Sequence, residues 1–144
     1  MSEALKRLAQ MNLRNPNTVP SSEAAHAALL FAHVGWNAAL GHDVDGYQKI
    51  LRRFIDSRPQ LWFELQSSDP QVLIDAARQA KLRLYPGDRR IVLVCGIPND
   101  RVHVEWCEEQ DYPEAVQALK KTMGSGPGAR GGARSRHDAR GRDA

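Results

Sequence analysis

Two hydrophobic periods divide this chain. Up to about residue 84 the apolar positions recur every three or four residues, the period of a helix face. From Ile91 to Cys107 they form a β-branched run and then alternate, the period of a strand. The helical part is punctuated. Residues 2–11 carry Leu5, Leu8 and Met11 on one side, and the prolines of RNPNTVP (14–20) break the segment, because a residue before proline is driven out of helical geometry. Ser21 or Ser22 caps a second helix that runs to about Leu40 and stops at Gly41. After the turn GHDVDG (41–46), Asp43 or Asp45 caps a third helix with Val44, Tyr47, Ile50, Leu51, Phe54 and Ile55 on one face. Ser57-Arg58-Pro59 ends it, and PQLWFELQ (59–66) forms a short helix. Asp69 then caps a fourth helix with Pro70 at its first position, which buries Val72, Leu73, Ala76, Ala77 and Ala80.

The strand-period segment is a β-hairpin, with Pro98-Asn99-Asp100 between its two arms. An even loop centred on Asn99-Asp100 sets Cys95 opposite Val104 and Leu93 opposite Trp106. One face is then wholly apolar: Ile91, Leu93, Cys95, Ile97, Val102, Val104 and Trp106. The other holds Val92, Val94, Gly96, His103, Glu105 and Cys107. A one-residue slip would mix the two sets, so the even register is expected. It puts Cys95 and Cys107 on opposite faces, where no disulfide joins them. A third strand at Leu82-Arg83-Leu84 would support the pair, since a lone hairpin is marginal. Pro113 to Met123 forms a closing helix with Val116 and Leu119.

Charge redraws the boundary of the folded part. Residues 124–144 hold five arginines, Arg130, Arg134, Arg136, Arg140 and Arg142, against Asp138 and Asp143, and so carry the whole net charge of +3. This Gly-, Arg- and Ala-rich stretch has nothing large to bury and is expected to be a disordered tail. The expectation is therefore an α+β protein: one mainly helical domain over 1–123, a hairpin in its C-terminal half, a closing helix and a tail over 124–144. The whole chain is 42% hydrophobic, and a domain of this size can bury a core. No apolar run reaches membrane-spanning length, the N-terminus lacks a secretory pattern, and two cysteines are too few for a disulfide framework. A cytoplasmic setting follows as an expectation.

Within the neutral domain, residues 49–90 sum to +4 and residues 91–123 to −3. Lys49, Arg52 and Arg53 share a helix face. With the five tail arginines they are the candidate nucleic-acid contacts, because cations spaced along a chain or helix neutralise phosphates. The competing reading of Lys49, Arg52 and Arg53 is a solvated face paired with nearby acids.

Two further groups bear on chemistry. His103, Glu105 and Cys107 alternate on the less apolar hairpin face, where a histidine and a carboxylate could share acid–base work and a thiol could attack. Their Cα atoms stand about 6.5–7 Å apart, which strains a base–thiol contact, and ordinary polar alternation explains them as well. His26 and His33 lie seven apart on one helix face, with His42 in the following turn, a set able to offer nitrogen ligands to a metal. No pair has the spacing of a helical zinc motif, and the stripe reads equally as the solvent side of the helix. No cofactor motif stands out, and none is expected. The balance favours a small non-catalytic interaction or accessory protein whose partner is another protein, with nucleic acid contacted through the tail. The rival is a small hydrolase or nuclease using His103 and Glu105, with or without a metal. No membrane partner is expected.

Overall fold

In the computed structural model, residues 1–15, 17–42 and 45–125 are described. Among them are five α-helices: α1 (Ser2–Met11), α2 (Ser22–Ala39), α3 (Asp45–Asp56), α4 (Pro70–Leu84) and α5 (Tyr112–Ser125). An antiparallel hairpin, β1 (Ile91–Gly96) and β2 (His103–Cys107), lies between α4 and α5. No described helix is long and apolar enough to cross a membrane. The tail arginines and Asp43 lie outside the described residues. The closing helix runs two residues past the expected domain end, through Ser125, and buries Ala115, with Val116 half-buried.

The core is built around α2. Ser21 accepts the Ala24 N–H as its cap, and Gly41, at φ +80°, turns the chain beyond its end. Between them AALLFAHVGWN is buried on every side: Phe31, Ala32, Val34 and Trp36 are fully enclosed, and so are His33 and Asn37. A helix apolar all round is an interior helix, and here α1, α4 and β1 all pack on it. The face carrying His26 and His33 is therefore not the solvent side of α2. Gly35 permits the closest approach. A Cβ there would stand 2.5 Å from the Ala77 Cβ and 2.8 Å from the Ile74 carbonyl oxygen. A larger residue would hold α2 and α4 apart.

Helix α1 keeps its expected bounds and α4 its expected start, with changes in what they bury. Leu5 and Leu8 of α1 are enclosed, but Met11 turns outward. Asp69 caps α4 by accepting the Gln71 N–H. The buried set of α4 is Leu73, Ile74, Ala77, Ala80 and Lys81, while Val72 and Ala76 are exposed. This helix continues through Leu84, so no third strand forms at 82–84. The short helix after Pro59 is a 3-10 turn, Pro59–Phe63, and Leu65 beyond it bridges to Leu13.

The hairpin tip follows the even loop. Asn99 and Asp100 both take positive φ, 53° and 61°, and Arg101 N–H closes the turn on the Pro98 carbonyl. Asparagine and aspartate tolerate this left-handed geometry best after glycine, and two such residues match the right-handed strand twist. Gly96 pairs with His103, Cys95 with Val104 and Val94 with Glu105 as expected, but then the register shifts. Leu93 is extra, so Val92, not Leu93, faces Trp106, and Ile91 faces Cys107. The break has a visible partner. The Asn37 carboxamide donates to the Val92 carbonyl at 2.8 Å and accepts its N–H at 2.9 Å, binding the free edge of β1 beside the bulge. Past the bulge both faces are covered. Ile91, Val92, Leu93, Glu105, Trp106 and Cys107 are all buried, so Cys107 is not on an exposed face. The Arg90 guanidinium sits 4.9 Å from the Trp106 ring centre.

Candidate functional site

A groove of about 990 Å³ lies between α1, the loop before α2, the N-terminal half of α2 and the hairpin tip. The strand period builds one wall from Ile97 and Val102, while α2 supplies Ala25, Ala28 and Leu29, and α1 supplies Ala9. Lys6, Glu23, His26 and Asp100 give the lining charges of both signs and one imidazole. Val19, also in the lining, is 96% exposed. Burial and the nearby Arg58 both push His26 below its ordinary pKa, so its imidazole is neutral at physiological pH. Its ring meets Phe54 edge-on at 5.3 Å, and Arg58, ion-paired to Glu23, lies over that same Phe54 ring at 4.4 Å.

Beside the groove, α2 and β1 bring a histidine and a thiol together. His33 Nε2 lies 3.0 Å from the Val92 carbonyl oxygen, which can only accept, so that nitrogen carries the proton. Nδ1 then accepts the Cys95 thiol at 3.4 Å. The pair has the layout of a base and a nucleophile, but its electrostatics run the other way. Burial pulls the His33 pKa down to about 4, against a weaker upward pull from the Val92 hydrogen bond, and burial pushes the Cys95 thiol up to about 12. Both groups are neutral at physiological pH. A nucleophilic cysteine needs the thiolate, so this pair ties α2 to β1 and does not activate sulfur.

The residues proposed from the sequence scatter. His103 is half-buried opposite Gly96, Glu105 is buried opposite Val94, and Cys107 is enclosed opposite Ile91. None of the three lines the groove. The three candidate metal ligands do not converge. His26 is in the groove, His33 is bound to Val92, and His42 stands 3.9 Å from Glu109 with its ring 4.6 Å from that of Tyr112. Among the described residues no three His, Cys, Asp or Glu side chains are placed to share a metal ion.

The basic segment 49–90 divides in two. Arg58 pairs with Glu23, Arg78 with Asp75, Arg89 with Glu109 and Arg90 with Asp88. Lys81 is buried, donating to the Tyr85 and Asp88 carbonyls at 2.8 and 2.6 Å, with Trp36 5.1 Å away. Lys49, Arg52 and Arg53 remain exposed on α3. Lys49 and Arg52 line a second, smaller hollow of about 350 Å³ between α3 and the start of α4.

The His33–Cys95 pair and the Trp62 wall of the second hollow were missed from the sequence. The first had a signal in the all-apolar run around His33, which marks an interior helix. The second had none, since it depends on how α3 and α4 meet. No family model, curated protein or solved structure matches this chain.

Proposed function

We propose that the protein is a small non-catalytic interaction or accessory protein of the cytoplasm, and that its groove docks an apolar segment of another protein. The observation carrying this reading is the groove itself, which is large, open and apolar in its walls, with Val19 bare in the lining. An exposed apolar concavity edged by charge is what a protein-docking surface offers. The occupant is an apolar peptide segment with flanking charges, since Lys6 and Asp100 stand ready to pair with either sign. Two free cysteines, both at least half-buried, suit a reducing compartment.

The test is affinity purification of the full chain from its native cell, with and without nuclease, beside Ala25→Trp, which fills the groove from α2. Partners that resist nuclease and are lost with Ala25→Trp support the reading. Partners retained by the filled variant, or released by nuclease, refute it.

A further inference from the structure

We propose that the hollow between α3 and α4 binds one nucleotide unit of a single-stranded nucleic acid. This site shares no lining residue with the groove and does not rest on the docking proposal. Three observations converge on it. The hollow, of about 350 Å³, has room for a base and lies within the range of small-ligand sites. Its apolar base is the enclosed Leu51, Ile55 and Ile74, and its wall includes Trp62, a half-buried indole. Every nucleobase has a π-face, so an aromatic wall takes a base without needing its identity.

The second observation is charge. Lys49 and Arg52 line the hollow, and Arg53 follows on the same helix. Of the six other cations of 49–90, four are ion-paired and Lys81 is buried on backbone carbonyls; these three, like Arg83 on α4, make no ion pair with the described residues. They can therefore meet phosphate without first losing a partner. The third observation is the mixture of charge. Asp56 and Asp69 also line the hollow, and Asp69 is already held by the Gln71 N–H. Carboxylates repel phosphate but accept from base N–H groups, so base and backbone are sorted. The base stacks against Trp62, and its phosphates lie on Lys49, Arg52 and Arg53. Arg53, a further cation on α3 beyond the hollow, fits a strand better than a free nucleotide. A duplex, with its bases already stacked, cannot offer one to the wall.

The experiment is fluorescence anisotropy of a labelled single-stranded 12-mer RNA with the full chain at low and moderate salt. Comparators are the duplex of the same sequence, a nucleoside monophosphate and polyphosphate. Two variants accompany it, Trp62→Leu and the double neutralisation Lys49→Gln with Arg52→Gln. Circular dichroism reports that each is folded. The proposal expects the single strand to bind best. Trp62→Leu should weaken it roughly tenfold or more, since stacking on one aromatic is worth about that much. The double variant should weaken it and reduce the salt slope by about two. The double variant changes only exposed side chains, so the test stands even if Trp62→Leu does not fold. Affinity unchanged in the double variant would overturn the proposal and assign any binding to the arginines beyond residue 126. So would polyphosphate, duplex or monophosphate binding as tightly as the strand, or no binding at low salt.

Discussion

Acid should weaken this fold in good part through His33. Its ring is enclosed, donates to the Val92 carbonyl and accepts the Cys95 thiol, so no site remains for a second proton without breaking a contact. Burial lowers its pKa from 6.5 to about 4. In the unfolded chain His33 takes up a proton as pH falls through about 6.5, while the native protein refuses one until about 4. Over that window the unfolded state binds more protons, and stability falls as pH falls. A shift of roughly 2.5 units at about 1.36 kcal/mol each amounts to about 3 kcal/mol, a large part of a small domain's stability. Below about pH 4 this contribution levels off. Urea denaturation followed by tryptophan fluorescence, at steps from about pH 7.5 to 4, measures the loss. His33→Gln separates it from the titration of carboxylates, because the amide can still donate to Val92 but cannot titrate. The wild type should lose about 3 kcal/mol more than the variant across the window. Parallel profiles for the two proteins would mean that His33 is not held neutral in the core, and the α2–β1 junction would need redrawing.

Other outcomes follow from single contacts. Gly35→Ala, normally a gain in a helix, should destabilise by about 2–3 kcal/mol in chemical denaturation, because its Cβ meets Ala77 and the α4 backbone inside van der Waals distance. Asn37→Ala should cost about 2–3 kcal/mol in the same assay, since it strands the buried Val92 N–H that the carboxamide now accepts. A thiol reagent at about pH 8 should label neither cysteine quickly in the native state and both after denaturation, because Cys95 is held protonated and Cys107 is enclosed.

Much of the fold was legible locally. The Ser21 and Asp69 caps, the proline stops and the Asn99-Asp100 turn are each decided by residues within a few positions, so spacing alone located α2, α4 and the hairpin tip. The errors are tertiary. Leu93 became a bulge where β1 meets Asn37, a residue 55 positions away from Val92, and the slip carried Cys107 into the core. Val72 and Ala76 looked interior by type, yet the face of α4 that meets α2 is set by Gly35. The sequence placed the cations of 49–90 side by side but could not tell which are claimed by Glu23, Asp75, Asp88 and Glu109. The candidate sites were less legible than the fold for the same reason. Each is made where distant segments converge, and the alternating His103, Glu105 and Cys107 drew attention to a strand that lines neither hollow.

The docking claim is tested most directly by placing a photo-crosslinking amino acid at Val19, whose side chain lines the groove and is almost wholly exposed. The same residue at Arg83, on the exposed side of α4, is the control. Irradiation in the native cell should join Val19, and not Arg83, to one or a few defined proteins, and Ala25→Trp in the same chain should abolish the product. No light-dependent product at Val19, the same product from Arg83, or persistence after Ala25→Trp would contradict the account of the groove.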